Sequence, residues 1–325
     1  MSGAPSIVTA HCLSKRYAGT PALADLSFDV AEGEVFGFIG ANGAGKTTTL
    51  RILAGLTRPS GGWAEVDGAD VVQERPRLHE LVGFMPDFFG VYDSMTAAEY
   101  LAFYASCYRL PPPLVDRVVA DLLELVHLGA KHDTQVNSLS RGMKQRLCLA
   151  RALVHDPKVL LLDEPASGLD PRARTEMREL IVALREMGKT IVLSSHILPE
   201  LAEMCSSYGI IHDGRMVASG SAQAILGGLG PRRARARVYG DLGAAERLAA
   251  GIAGVSNVRR AGADSLEIET SRGPGDEGTD PATLLGALVA AGIPVADFRE
   301  DSGDLEQLYL QLTAPAPAEP AEQGP

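Results

Sequence analysis

Residues 40–47 read Gly-Ala-Asn-Gly-Ala-Gly-Lys-Thr, the order of glycine, four residues, glycine, lysine and a hydroxyl residue that forms a phosphate-cradling loop. A short apolar run, Glu34-Val35-Phe36-Gly37-Phe38-Ile39, precedes it and predicts a strand, while residues 48–56 have the apolar spacing of a helix. Strand, glycine loop and helix in that order commit this part of the chain to an α/β core. Gly40, Gly43 and Gly45 can take backbone angles closed to other residues, so consecutive amides turn inward around a phosphate. The positive end of the following helix adds to that field. Lys46 is then placed to reach the outer phosphates, and the Thr47 hydroxyl to ligate a magnesium ion. Asn42, Ala44 and Thr48 complete the predicted nucleotide-binding stretch.

At 325 residues the chain is long enough for two domains, since single cores rarely grow past about 250 to 300 residues. Hydrophobic residues make up 46% of it, enough to bury a core. The formal net charge of −11 argues against a nucleic-acid partner, which calls for a basic face. Cys12, Cys107, Cys148 and Cys205 are scattered, with no close pair to suggest zinc or a redox motif, and suit a reducing cytoplasm. The start, MSGAPSIVTAHC, lacks the basic, apolar, small-residue order of a signal peptide. The longest charge-free apolar stretch, 284–296, falls short of the roughly 20 residues that cross a bilayer. Any membrane role is therefore expected to come through a partner.

Upstream of the loop, residues 7–12 and 23–30 predict two strands joined through a polar turn at 14–19. Tyr17 in that turn is the candidate ring for stacking on a base. Residues 63–68 and 82–86 predict further strands. Helical spacing over 96–108 and 114–128, separated by Pro111-Pro112-Pro113, predicts a helical insert between the phosphate loop and the next nucleotide-binding element. The stretch Ser138-Leu139-Ser140-Arg141-Gly142-Met143-Lys144-Gln145-Arg146 then runs into an apolar-striped helix. Ser140 is a good cap, and a serine and a glycine at a helix start offer a second anion site.

Residues 158–163, KVLLLD, predict a buried strand that ends in a carboxylate and is followed at once by Glu164. Two adjacent carboxylates after a buried strand are poor packing choices and point to chemistry. In phosphate-loop nucleoside triphosphatases such an aspartate supports magnesium and the neighbouring glutamate can polarise an attacking water. A helix over 171–187 leads to a strand at 190–194, after which come Ser195 and His196. Ligands collect at the carboxyl ends of strands in open parallel sheets, so His196 is placed to sense the outer phosphate.

Together these stretches resemble the ATPase subunit of ABC transporters, over about residues 5–225. GANGAGKT looks like its Walker A motif, LSRGM its signature, VLLLDEP its Walker B, SGLD its D-loop and His196 its switch histidine. The resemblance implies that Tyr17 stacks adenine, Asp163 supports Mg2+, Glu164 is the general base, and His196 contacts the terminal phosphate of ATP. It also implies that each ATP is closed between the Walker A of one subunit and the signature of a second copy, so that Ser140 and Gly142 act across a dimer, with Asp170 of the D-loop among the nucleotide-binding residues. Two departures stand out. The signature usually reads LSGGQ, and here Arg141 and Met143 differ while the serine and second glycine remain. Asp87 stands where the family normally has glutamine; it can accept hydrogen bonds or help bind magnesium but has no amide donor. The surrounding sequence, GFMPDFFGVYDSMTAAEYL, is similar to type-2 ABC exporters. Phe88, Phe89, Val91, Tyr92 and Met95 crowd that loop, which in the family lines a groove for a helix of the membrane permease.

Past a tight turn at Asp213-Gly214 and a short helix near 222–226, a glycine-rich linker is expected at 227–233. Beyond it the order strand 234–239, helix 242–251, strands 255–260 and 265–269, helix 281–291 and strand 295–299 predicts a small α+β, ferredoxin-like accessory domain over 234–312. The run Arg232, Arg233, Arg235, Arg237 is read as a solvated strand edge. Residues 273–280 make an acidic loop, 304–310 a last helix, and 313–325 a disordered tail. The expected domains are thus a 5–226 ATP-binding domain, with its helical insert at about 88–155, and this accessory unit. The leading expectation is an ATP-hydrolysing subunit, cytoplasmic and peripheral on the inner membrane face, whose two copies clamp ATP and drive a separate permease. A soluble ABC-type ATPase of DNA repair or translation is the alternative, although neither a long coiled-coil insert nor a second ATPase module is present. A nucleotide-binding regulator without turnover is opposed by the intact Asp163-Glu164 pair.

Overall fold

The computed structural model describes residues 5–87, 90, 94–222, 224–225, 232–270 and 281–301. Phe88, Phe89, Val91 and Tyr92 of the predicted aromatic loop lie outside them, as do most of the linker, the acidic loop, the last helix and the tail. Two compact units part between Ser221 and Ala222.

The first unit has two sheets. Strands β1 (Ser6–Tyr17), β2 (Thr20–Ala31), β4 (Gly61–Val66) and β5 (Ala69–Asp70) form an antiparallel sheet in the order β2-β1-β4-β5. The predicted turn at 14–19 is much shorter than expected. Lys15, Arg16 and Tyr17 pair with Leu23, Pro21 and Thr20, so strand continues almost to the hairpin tip. Register shifts break the polar-apolar alternation there and hide the strand from the sequence.

The second sheet has the order β10-β9-β3-β8-β7-β6. It contains β3 (Val35–Ile39), β6 (Val82–Met85), β7 (Val159–Asp163), β8 (Thr190–Ser195), β9 (Ser207–His212) and β10 (Arg215–Gly220). All pairs are parallel except β9 with β10. Every residue of β3, β7 and β8 is buried, the pattern of a sheet covered on both faces. Between the two sheets Phe28, Phe36 and Phe38 pack with centroids 5.0 to 5.7 Å apart, joined by Leu50, Ile52 and Leu53 of α1 (Lys46–Leu53).

Helices α3 (Ala97–Cys107), α4 (Pro112–Leu125) and α5 (Arg141–Leu153) form the insert. Thr96 and Glu99 close a capping box on α3. Two separate helices lie on either side of the expected proline boundary: Pro111 caps α4, and Pro112 and Pro113 form its first turn, where proline's missing N–H costs nothing. At its far end α5 meets the sheet at Gly83 of β6, where a β-carbon would sit 2.2 Å from the Ala152 carbonyl oxygen. Only a glycine allows that approach. Short helices α2 (Arg75–Leu81) and α7 (Leu198–Met204), too brief to show a period, were not expected; α6 (Pro171–Glu186) buries Met177, Leu180, Ile181 and Leu184 on one stripe.

The second unit has strands β11 (Arg232–Val238), β12 (Val255–Arg260), β13 (Ser265–Thr270) and β14 (Val295–Asp301), with α8 (Leu242–Ala250) and α9 (Pro281–Ala290). The antiparallel order β12-β13-β11-β14 with two helices is a split βαβ arrangement. The Arg-Ala run is not a sheet edge: β11 is paired on both sides, to β13 and β14. Ala234, Ala236 and Val238 face the core, and Arg233, Arg235 and Arg237 face outward, Arg233 lying 3.1 Å from Glu269.

Candidate functional site

Parallel register decides where the chemistry collects. Ile39 is level with Ser195, and Asp163 with Ser194, so β3, β7 and β8 end on one line. The residues that follow, Gly40, Glu164 and His196, therefore leave the sheet at the same edge.

The phosphate loop follows β3. Gly45 caps α1 with φ of 116°, and a β-carbon there would lie 2.6 Å from Leu23 Cδ2 and 2.9 Å from the Ala22 carbonyl oxygen, so both angle and space demand glycine. Lys46 is buried, and its ammonium donates to the carbonyls of Gly40 at 2.6 Å and Ala41 at 3.2 Å. It also lies 3.5 Å from Glu164 Oε1. The Ala44 amide donates to Ala41, and its carbonyl accepts from Gly214.

Asp163 is buried at the end of β7, and its Oδ1 accepts from the Thr47 hydroxyl at 3.0 Å and the Ser194 hydroxyl at 2.7 Å. Ser194 also accepts from the Glu164 amide at 3.0 Å. Glu164 has φ of 50°, a left-handed conformation that a non-glycine residue adopts only when its surroundings fix it. Its Oε2 lies 2.8 Å from His196 Nδ1. Glu164 is thus held at both carboxylate oxygens and at its amide.

Residues Ala41, Asn42, Gly43, Gly45, Lys46, Thr47, Thr48, Asp87, Glu164, Ser167 and His196 line one cleft of about 250 Å³. It collects most of the predicted site. Tyr17, Ser140, Gly142 and Asp170 are not among its lining residues. Tyr17 is 45% exposed at the hairpin tip, with the Lys15 ammonium 5.0 Å above its ring. Ser140 caps α5 by accepting from the Met143 amide, and Asp170 caps α6 by accepting from the Arg172 and Ala173 amides. Ser194, Ser167 and Gln145, whose amide is 3.5 Å from the Glu164 carbonyl, were not foreseen. Ser194 carried a sequence signal, a hydroxyl two residues ahead of His196 at a strand end.

A profile described as ABC transporter matches residues 23–167. A Nod factor export ATP-binding protein I from Burkholderia pseudomallei (strain 1710b) is 41% identical over 214 residues, covering 66% of this chain and 70% of that protein. The chain belongs to the ABC transporter ATP-binding family. A protein of the same description from Ralstonia nicotianae is 38% identical over 224 residues, 69% of this chain and 70% of that protein. Among solved structures, an ATP-binding subunit of an ABC transporter superposes with a TM-score of 0.62 at 30% identity, over 68% of this chain and 92% of that one. The cbiO1 protein of Clostridium perfringens, described as part of an ABC transporter complex, gives 0.62 at 28% identity, over 68% and 91%. As an ABC ATP-binding chain, this protein is an ATPase.

This ABC ATPase also carries a larger cavity, about 370 Å³, which contains none of the site residues above. Leu56, Val82, Phe84, Tyr104, Tyr108 and Arg151 are among its walls. The Arg151 guanidinium lies 5.2 Å from the Tyr104 ring centre and donates to the Phe84 carbonyl at 3.3 Å. Nearby, the His155 ring stacks on Tyr108 at 3.8 Å, its Nε2 3.1 Å from the Val82 carbonyl oxygen, and burial lowers its pKa to about 4. The walls of this cavity are largely apolar, whereas the cleft at the strand ends is polar. No described helix is long and apolar enough to cross a membrane.

Proposed function

We propose that this chain hydrolyses ATP, as one of two copies closed around the nucleotide, to drive export through a separate membrane permease. The observation that carries the reading is Glu164, fixed between Lys46 and His196 directly after Asp163. A γ-phosphate oxygen entering the cleft would compete with Glu164 for the Lys46 ammonium, whose other directions are taken by Gly40 and Ala41. Glu164 would then be released to accept a proton from the attacking water, and His196 would keep its carboxylate aimed. Asn42, Gly43, Ala44, Gly45 and Thr48 belong to the phosphate cradle, and Tyr17 offers its exposed face to adenine.

The donor set suits magnesium. Thr47 and Asp163 bring two hard oxygens within hydrogen-bond distance, and no described group of three or more ligand side chains forms a cage. That fits an ion which keeps waters and binds mainly through phosphate. Thr47 and Asp163 would hold it, with Asp87 in reach through the cleft, and its charge would offset that of the β- and γ-phosphates.

Ser140, Gly142 and Asp170 lie outside the cleft of their own chain, which supports a role toward a second copy. The larger cavity supports the permease reading, since exposed aromatic walls favour partner contact. The relatives' export names favour a transporter over DNA repair or translation, the charge of −11 disfavours nucleic acid, and the proposed location is the inner membrane face. Purification from membranes tests the whole: a permease should co-purify, and the complex should turn over ATP. An active chain that never associates with a membrane protein would remove the transport half of the reading.

A further inference from the structure

Arg141 opens α5, where a cation opposes the positive end of the helix dipole. Helix stability alone would not place it there. Its Nη2 donates to the Ser167 carbonyl at 3.1 Å. A β-carbon on Gly168 would lie 2.5 Å from Arg141 Cζ and 2.5 and 2.6 Å from its two terminal nitrogens. Near-equal distances to three atoms mean that the guanidinium plane lies across Gly168, whose φ of 66° turns the chain beneath it. Ser167 lines the nucleotide cleft, and its amide donates to the Glu164 carbonyl at 3.0 Å. Two hydrogen bonds therefore separate the first residue of α5 from the backbone of Glu164.

The opposite side of the same loop is held as well. Arg174 donates to the Leu169 carbonyl at 3.2 Å and pairs with Glu200 at 2.8 Å. Next to Arg141, a β-carbon on Gly142 would meet Ala173 at 2.9 Å, so the starts of α5 and α6 are seated against each other. Loop 166–170 is gripped from both sides.

We propose that Arg141 is a positioning residue for ATP hydrolysis, fastening loop 166–170 to the start of α5 so that Glu164 and the Ser140-Gly142 turn move together. This rests on the reading of Glu164 as the base. Arg141 is exposed and lies outside the cleft lining, so its loss should disturb geometry and not nucleotide affinity.

The test is steady-state ATP turnover by the full chain. Arg141→Gln is expected to lower kcat roughly 10- to 100-fold, the scale of a misplaced catalytic group, with KM for ATP and the thermal midpoint nearly unchanged. Arg141→Lys should recover part of the loss, because an ammonium can still donate to the Ser167 carbonyl. Gly168→Ala, which drives a methyl into the guanidinium, should lower kcat in the same way, and adding it to Arg141→Gln should cost nothing further. Wild-type turnover in Arg141→Gln, losses that multiply in the double variant, or KM and midpoint falling along with kcat would overturn the proposal. A wild-type chain that turns over no ATP would overturn the reading of the site together with it. Should Gly168→Ala fail to fold, the two single Arg141 variants decide alone.

Discussion

Glu164 Oε2 stands 2.8 Å from His196 Nδ1, a contact that joins the residue after β7 to the residue after β8. With its proton on Nδ1, the imidazole donates one hydrogen bond to that oxygen and fixes the direction of the carboxylate. The family resemblance gives His196 to the terminal phosphate, and this geometry adds a grip on Glu164, the proposed base.

Glu164→Gln keeps the size of the side chain and removes the base. ATP binding should persist while hydrolysis falls by roughly 10²- to 10⁴-fold, the cost of losing general-base catalysis. Lys46→Ala should behave differently, because it takes a buried cation from the phosphate cradle: nucleotide affinity itself should fall. Equilibrium ATP titration beside single-turnover hydrolysis separates the two. Turnover of Glu164→Gln within a factor of about two of wild type would take Glu164 out of the base role.

His155 couples stability to pH. Burial against Tyr108 favours the neutral ring, with Lys189 and His79 adding to the effect, and the folded pKa is lowered to about 4. The unfolded chain takes up a proton near pH 6.5, so below that value it binds more protons than the native state. The stability tied to His155 is full above about pH 6.5 and drains away as pH falls toward 4, by about 1–2 kcal/mol once solvent screening is allowed for. Urea unfolding at pH 7 and pH 5 should show that loss, and His155→Phe, which preserves the stack, should flatten it. An unchanged slope in the variant would mean that other groups carry the dependence.

Leu56 is 58% exposed on the wall of the larger cavity. A carboxylate there should leave the ATPase fold alone and repel an apolar helix. Leu56→Glu is expected to weaken permease association by roughly 1–3 kcal/mol if the residue sits at a hot spot, with ATP affinity of the isolated chain intact. Pull-down of the permease measures this; equal recovery from wild type and variant would put the docking surface elsewhere.

A chain truncated after Gly230 should fold and bind ATP, since Gly40 to His196 and both sheets that carry them precede it. Circular dichroism with an ATP titration is sufficient. An insoluble or nucleotide-blind fragment would make the accessory unit part of the nucleotide domain's stability.

How far the sequence reached differs from residue to residue. The run from Val35 to Thr47 was readable because a buried strand, a glycine loop and a capped helix each leave a local mark, and Asp163-Glu164 stood out as charge at the end of an apolar run. Ser194 offered only a hydroxyl at a strand end, and its partner Asp163 comes from parallel register; Ser167 takes its place from a turn, and neither relation shows in a chain read one segment at a time. The same limit explains β11: alternating Arg and Ala reveals which face is wet but not whether a neighbour lies on either flank. The prolines mark the break between α3 and α4, but α4 starts at Pro112 and not after the run, since proline's fixed φ suits a first helical turn.

The contact at Gly83 has a mechanical consequence. The last turn of α5 is held where the Ala152 carbonyl rests on the β6 backbone, so a tilt of the helix about this contact would move its other end the most. Over 13 residues, at about 1.5 Å each, the lever arm is about 20 Å, and a swing of about 10° would carry Ser140 through about 3 Å. A rotation that small would be enough to make or break a hydrogen bond at the start of α5, and a methyl group at position 83 would displace the contact about which it turns.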